Sequence, residues 1–169
     1  MRSNEKLQTE FDQAAIALAK RASGDSHLRR NRAFLNKYLP AQCQNALEIG
    51  CGLGDFSRYL AGRSEHVLAL DLSPEMIRIA RERSTDFPQI EFLVADAMEY
   101  AFPTERFDFV VSFMTLHHMR LDEILEKLKV TLKPGGVLVV LDICEQDGVT
   151  NKLYSLFSRG KKLTKRLLR

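Results

Sequence analysis

Three glycines alternate along a short segment that follows the first strongly apolar run of the chain. They are Gly50, Gly52 and Gly54, and Glu48 lies two residues before the first of them. Glycine reaches backbone dihedrals that are closed to other residues, and it leaves no side chain between a ligand and the backbone N–H groups. We therefore expect a ligand to contact the chain at this loop.

The spacing of these glycines separates two classes of ligand. A dinucleotide fingerprint needs the pattern G-x-G-x-x-G, and Asp55 occupies the position of its last glycine. A carboxylate there would face a pyrophosphate, which makes a nicotinamide-dependent oxidoreductase the weaker alternative. The G-x-G-x-G pattern behind Glu48 instead suits a ligand with a positive amino group and no phosphate.

Two more carboxylates end the next two apolar runs. Asp71 closes "LALD", and an acid at that position can accept hydrogen bonds from both hydroxyls of a ribose. Asp96 closes "LVAD", where a carboxylate oxygen can accept from an exocyclic amine such as N6 of adenine. Ribose, adenine and a cationic amino acid part together compose S-adenosylmethionine.

The elements that must position these residues follow from the apolar pattern. Strands are predicted at "NALEIG", "HVLALDL", "IEFLVAD", "FDFVVSF" and "VLVVLD", and helices at "DFSRYLAG", "SPEMIRIARERS" and "LDEILEKLKVTL". Alternating strands and helices pair in parallel through right-handed crossovers. We therefore expect an α/β fold, a Rossmann-like parallel sheet with five predicted strands and helices on both faces. On the last helix, Glu123, Glu126 and Lys127 are predicted to form a solvated face.

Length and charge divide the chain into three parts. Its 169 residues, 45% of them apolar, can bury one core. We expect two N-terminal helices in 1–40 as a cap, a ligand-binding core in 41–147 and a basic amphipathic helical tail in 148–169. The tail holds seven basic residues and no acidic one, whereas residues 1–147 hold 18 basic and 22 acidic residues. This mildly acidic body argues against nucleic acid as a partner.

Two features that the sequence lacks indicate the cellular compartment and the metal content that we expect. The chain has no uncharged apolar run of about 18 residues and no apolar signal-peptide centre, which predicts a cytoplasmic protein. Its three cysteines are scattered, with neither the pairing of a disulfide framework nor the spacing of a zinc site. We therefore expect no metal.

In these motifs the sequence resembles the class I S-adenosylmethionine-dependent methyltransferases, in particular the small-molecule, type 11-like members. The matching segments are "LEIGCGLG", "LALDLSPEMIRIAR", "VADA", "FDFVVS" and "LKPGG", in the family's order between residues 46 and 142. The resemblance implies that the chain transfers a methyl group from S-adenosylmethionine to a small-molecule acceptor by in-line displacement. The alternative is an inactive S-adenosylmethionine-binding subunit that regulates or completes another chain.

The resemblance also implies roles for individual residues. Glu48 and the glycine loop would hold the methionine end, Asp71 the ribose, Leu72 one face of the adenine, and Asp96 with the Ala97 backbone its edge. A segment around Phe11, "FDQAA", is similar to the part that closes over the cofactor. The candidate cofactor-binding residues are Glu48, Gly50, Cys51, Gly52, Gly54, Asp71, Leu72, Asp96, Ala97 and Ser112.

Two adjacent histidines follow the fourth predicted strand. His117 and His118 are candidate catalytic bases, because an imidazole can accept a proton near neutral pH and the resemblance places the methyl group next to them. Structural packing or hydrogen bonding is the alternative for this pair, and capping of the neighbouring loop is the alternative for Glu48.

The chain departs from the resemblance after the fifth predicted strand. The family ends with two more strands, the last inserted antiparallel beside the fifth, and neither can be identified here. A bare fifth-strand edge would invite a second copy or a partner chain. For the predicted tail helix three roles stay open: a surface helix, a lid over the acceptor, and contact with a membrane surface.

Overall fold

The computed structural model describes residues 4–19, 36–144, 152–159 and 162–167. It contains four α-helices, seven strands and one 3₁₀ turn within these ranges. In chain order they are α1 (Asn4–Ala19), β1 (Cys43–Ile49), α2 (Asp55–Ala61), β2 (Ser64–Asp71), α3 (Pro74–Glu82), β3 (Ile90–Val94), β4 (Phe107–Phe113), the 3₁₀ turn (Leu116–His118), α4 (Leu121–Thr131), β5 (Leu132–Cys144), β6 (Lys152–Arg159) and β7 (Lys162–Leu167).

One sheet holds all seven strands in the order β3-β2-β1-β4-β5-β6-β7. The first five strands pair in parallel, which confirms the predicted Rossmann-like α/β core. From β1 the chain first builds outward to β2 and β3, and then returns to place β4 on the other side of β1. Ligands of such sheets bind outside the carboxyl ends of the strands at this reversal.

Helices cover both faces of the sheet because alternate strand residues are buried on each side. Val110 and Leu138 pack with Ile124 and Leu128 of α4, whereas the neighbouring strand residue Phe109 packs on the α2 side. Fully burying such a side chain contributes about 1.5–3 kcal/mol. The helix α3 begins as the sequence predicts, with the Ser73 hydroxyl accepting from Met76 N and proline at the first helical position.

The prediction of a helical tail over 148–169 is wrong where the structure describes it. The strand β6 pairs antiparallel with β5 from Val137 to Cys144, and β7 pairs antiparallel with β6. A helix would have had to continue through Gly160, a poor helix residue, while β5 offered unpaired backbone groups for a ladder. The fifth strand is therefore not an edge, and two strands that the sequence did not reveal are present. In the family pattern the last strand lies beside the fifth. Here β6 lies beside β5 and the last strand, β7, lies beyond it, so that pattern does not hold.

The N-terminal part is described in two pieces. The first of the two helices predicted in 1–40 is present as α1. Residues 36–38 are helical, near the end expected for the second. The rest of that second helix lies outside the described residues. No helix among the described ranges has the length and apolar character needed to cross a bilayer.

Close packing at the carboxyl end of β1 requires a residue without a side chain. A Cβ built on Gly50, whose φ is +75°, would lie 2.1 Å from Thr115 Oγ1 in the loop after β4. Gly52 has a φ of +51°, but a Cβ there would meet no atom within 4 Å. The first glycine therefore lets two loops touch, while the second faces open space.

This difference predicts unequal costs for two alanine substitutions. We expect Gly52→Ala to lower the free energy of unfolding by about 1–2 kcal/mol, because alanine is strained at positive φ. Gly50→Ala should lose about 1–3 kcal/mol more, because its methyl group overlaps Thr115. Urea denaturation followed by circular dichroism measures both. Equal losses in the two variants would contradict the packing described here.

Candidate functional site

A cleft of about 280 Å³ opens at the carboxyl ends of β1 to β4, beneath α1. This volume is close to the lower end of the range of about 300–1,000 Å³ that is usual for small-molecule sites. Helix α1 forms its cover, the glycine loop and the tips of β2 and β3 form one end, and the segment after β4 forms the other. Its lining includes Asn4, Leu7, Phe11, Gly50, Gly52, Asp71, Leu72, Met76, Asp96, Ala97, Met98, Phe113, Met114, Thr115, His118, Met119 and Arg120.

The structure brings together about half of the residues that the sequence singled out. The cleft is lined by seven of them: Gly50, Gly52, Asp71, Leu72, Asp96, Ala97 and His118. The other five lie beside or behind it: Glu48, Cys51, Gly54, Ser112 and His117. The first group could contact a ligand directly, and the second could act only through its neighbours.

Asp71 is part-buried at the tip of β2 and joins two loops. Its Oδ2 accepts from Gly52 N at 2.8 Å and its Oδ1 accepts from Ser73 N at 3.0 Å. Burial raises the pKa of Asp71 above its ordinary value, and these two hydrogen bonds oppose that shift. A carboxylate has about four lone-pair sites, so both oxygens can still accept from a ligand's hydroxyl groups.

The backbone amides of the glycine loop are already engaged within the protein. Gly50 N and Cys51 N both donate to Leu70 O, and Gly54 N donates to Cys51 O. Gly52 N donates to Asp71, as described above. These four N–H groups are therefore not free to donate to a ligand, and a ligand at this loop would meet its other atoms. A loop with its donors occupied suits an amine or sulfonium better than a phosphate, which needs donors.

Asp96, at the tip of β3, has partners from two directions. Its Oδ1 accepts from Met98 N at 2.8 Å, which shapes the loop beyond β3, and its Oδ2 accepts from Asn4 Nδ2 at 2.5 Å. The carboxylate thus ties α1 to the strand tip while facing the cleft. Any exocyclic amine recognised here would share or replace the Asn4 contact.

Glu48 lies behind the glycine loop with only 2% of its surface exposed. Its Oε2 accepts from Ser57 Oγ in α2 at 2.5 Å. Burial raises the pKa of Glu48 from an ordinary value of 4.5 to about 8, and the charge of Asp71 acts in the same direction. At neutral pH the side chain is therefore mostly a neutral acid that ties β1 to α2, and it does not present a negative charge to the cleft.

Three other predicted residues support the loop from outside the cleft. The Cys51 thiol packs with Ile77, Ala80 and Phe92, and burial raises its pKa well above the ordinary value. A Cβ on Gly54 would lie 3.0 Å from Phe92 Cζ. Ser112 Oγ donates to Ile49 O at 3.0 Å, so it joins β4 to β1. All three fix the loop without reaching a ligand through a side chain.

The two histidines have different environments although they are adjacent in sequence. The His118 ring lines the cleft and meets Phe11 of α1 edge-on, with ring centroids 5.2 Å apart. The His117 ring turns aside to Asp142 of β5, with Nδ1 2.6 Å from Oδ1. His118 is therefore the histidine placed to meet an acceptor in the cleft.

Helix α1 contacts the segments that follow three strands, β2, β3 and β4. Besides Asn4 at β3 and Phe11 at β4, it carries Asp12, which accepts from the Ser73 hydroxyl and from Glu75 N beyond β2. On the same helix, Ala15 packs against Leu53, Met76 and Ile79. Phe11 of the "FDQAA" segment lines the cleft, and closure of this segment over a cofactor stays a prediction.

Sequence reasoning missed several residues of the site. Lys127 was expected on a solvated face, yet its Nζ donates to Met98 O at 2.6 Å and to Ala97 O at 3.2 Å, so it holds the loop beyond Asp96. Its helical position next to buried Ile124 and Leu128 was the available signal. Asn4, Met114 and Arg120 carried no signal, because only the tertiary fold brings them to the cleft.

The end of the cleft beyond β4 is largely apolar. Phe11, Phe113, Met114 and Met119 line it together with His118. The cleft is also lined by Glu99 and by Arg120, which pairs with Glu123 at 2.6 Å. Within the described ranges no group of three or more histidine, cysteine or acidic side chains could hold a metal ion.

Comparison with known proteins identifies similar chains. A family model described as "Methyltransferase domain" matches residues 47–140. The chain is 29% identical over 160 residues, 90% of its length, to phosphoethanolamine N-methyltransferase 1 of Zea mays. It is 32% identical over 106 residues, 60% of its length, to demethylmenaquinone methyltransferase of Lysinibacillus sphaericus.

A solved structure agrees with these sequence matches. It is phosphoethanolamine N-methyltransferase 2 of Haemonchus contortus in complex with phosphomonomethylethanolamine and S-adenosylhomocysteine. The two chains share 30% identity with a TM-score of 0.66 over 72% of this chain and 30% of that one. The present chain spans 32% of the maize relative and 45% of the bacterial one.

The raised pKa of Glu48 predicts a specific pH dependence of stability. Between pH 4.5 and about 8 the unfolded chain ionises this group while the folded protein keeps it protonated. The contribution of this group to stability is therefore fully present below pH 4.5 and is lost as pH rises to 8, by at most about 1.4 kcal/mol per pH unit. We expect Glu48→Gln, which keeps the acceptor for Ser57, to flatten this slope in urea denaturation. The exposed control Glu65→Gln should keep the wild-type slope, and an unchanged slope in Glu48→Gln would contradict the assignment.

Proposed function

The chain belongs to the methyltransferase domain family of class I S-adenosylmethionine-dependent enzymes, and we propose that it methylates a small molecule held in the cleft beneath α1. One observation carries this proposal. Asp71, Asp96 and His118 face a single cleft beside a glycine loop in which four backbone N–H groups are already engaged. That arrangement offers acceptors to a cofactor with hydroxyl and amino groups, and it leaves fewer backbone donors for a pyrophosphate.

The residues at the glycine-loop end fit S-adenosylmethionine. Asp71 would accept from the ribose hydroxyls, Leu72 would cover one face of the adenine, and Asp96 with Ala97 would meet its edge. The open space at Gly52 leaves room for the chain of the cofactor. When bound, S-adenosylmethionine supplies an electrophilic methyl group.

The roles of Glu48, Cys51, Gly54 and Ser112 are indirect in this proposal. Each of them ties the glycine loop to the strand or helix behind it. The rigid loop keeps the methyl donor at a fixed distance from the far end of the cleft. Orientation of this kind can lower a reaction barrier by about 7–11 kcal/mol.

His118 would serve the acceptor. Its imidazole lies at the cleft end opposite the adenine position, where it can take a proton from an acceptor hydroxyl or amine. Phe11 covers the same region, and the helix that carries it keeps water from the reacting atoms. A base is needed only where the acceptor is protonated before transfer.

The lining favours an acceptor with an apolar body. The relatives named above include enzymes for phosphoethanolamine and for demethylmenaquinone. Among the described lining residues the permanent cation is Arg120, and it is already paired with Glu123. An aromatic or quinol-type acceptor would contact Phe113, Met114 and Met119, whereas a phosphate would find few donors.

The nature of the acceptor can be tested by turnover. We expect S-adenosylhomocysteine to form with reduced naphthoquinones or simple phenols and not with phosphoethanolamine, measured by mass spectrometry under identical conditions. Turnover with phosphoethanolamine alone would overturn the acceptor class. Binding of S-adenosylmethionine with no turnover on any acceptor would instead favour an inactive partner subunit.

The ribose assignment predicts a loss of cofactor affinity. Asp71→Ala should weaken S-adenosylmethionine binding by about 1.5–3 kcal/mol, the size of hydrogen bonds to a charged group. Isothermal titration measures this change, and thermal denaturation checks that the variant stays folded. The exposed acid Asp86 gives the control Asp86→Ala, which should bind as the wild type does. Unchanged affinity in folded Asp71→Ala would refute the assignment.

A further inference from the structure

A carboxylate and an imidazole beside the cleft make a two-point contact that the proposed reaction does not use. Asp142 Oδ1 lies 2.6 Å from His117 Nδ1, and Asp142 Oδ2 accepts from His117 N at 3.1 Å. Only 12% of the Asp142 side chain is exposed. A carboxylate removed from water in this way needs strong hydrogen-bond partners, and His117 supplies two.

The contact fixes the 3₁₀ turn that contains His118. Asp142 belongs to β5, which pairs with β4 up to Phe113 and Leu141, and Met114 N donates to Leu141 O at 2.8 Å just beyond that pair. The following 3₁₀ turn, residues 116–118, is anchored by fully buried Leu116. The sheet therefore holds the turn through Asp142 on one side and Leu116 on the other.

His118 is held between two rings as a result. The His117 and His118 ring centroids lie 3.9 Å apart, and the Phe11 ring meets His118 edge-on. Because Asp142 binds both the backbone N–H and the side chain of His117, it holds in place the 3₁₀ turn that carries His118. Neither His117 nor Asp142 lines the cleft itself.

We propose that Asp142 and His117 form a positioning pair that sets the orientation of the His118 ring, and that His117 exchanges no proton with the acceptor. The pair rests on the proposed function only in its catalytic consequence, since the orientation itself can be measured without turnover. A carboxylate oxygen only accepts hydrogen bonds, so His117 donates to Asp142 from a protonated Nδ1, and Nδ1 is the nitrogen that matters.

This distinction makes two amide substitutions informative. The amide nitrogen of asparagine can take the place of His117 Nδ1 and donate to Asp142, whereas that of glutamine matches Nε2. We expect His117→Asn to keep kcat within about threefold of wild type, and His117→Gln and His117→Ala to lose about tenfold or more, with S-adenosylmethionine affinity unchanged in all three. His118→Asn should lose about 100-fold or more, and Asp122→Asn on exposed α4 should match the wild type.

Several outcomes would overturn the positioning pair. If His117→Asn loses as much as His117→Gln, then the hydrogen bond from Nδ1 to Asp142 is not what His117 contributes, and if His117→Ala keeps full activity, the contact is dispensable. Failure of the wild-type protein to bind S-adenosylmethionine would count against the proposed function. NMR of the Asp142→Ala variant, in which both histidine rings remain, tests the pair in that case as well. The His118 imidazole resonances should shift or broaden. Resonances at their wild-type positions would refute the pair.

Discussion

The hydrogen bond from Gly52 N to the carboxylate of Asp71 is the contact on which the cleft depends. It joins the loop after β1 to the tip of β2, and the second oxygen of Asp71 orders the start of α3 through Ser73. One part-buried acid therefore sets the separation of two loops and the direction of a helix. Removing it would loosen both loops as well as take away an acceptor that faces the cleft.

The hydrogen bonds within the glycine loop also explain which kind of ligand suits it. Backbone N–H groups that could cradle a phosphate are turned inward to Leu70, Asp71 and Cys51. The loop approaches a ligand with its bare Cα positions and with acids at neighbouring strand tips. Burial keeps Glu48 mostly neutral at pH 7, so the negative charge near the ligand comes from Asp71 and Asp96.

Local sequence signals predicted the parallel core and the acids at the strand tips, because apolar periodicity and glycine spacing are read within a few residues. They failed where contacts between distant segments decide. The tail carries a helical apolar stripe, yet the unpaired edge of β5 takes it as a strand. Likewise, adjacent His117 and His118 look equivalent in sequence, and only the position of Asp142 on β5 separates them. Lys127 contacts the loop beyond Asp96 because α4 packs against the sheet next to that loop.

Helix α1 touches the β3 tip through Asn4 and the β4 side through Phe11. It therefore contacts both ends of the cleft. Under the proposed function these ends would hold the methyl donor and the acceptor. A displacement of α1 that broke both contacts would then uncover the two positions together, because one helix closes over both.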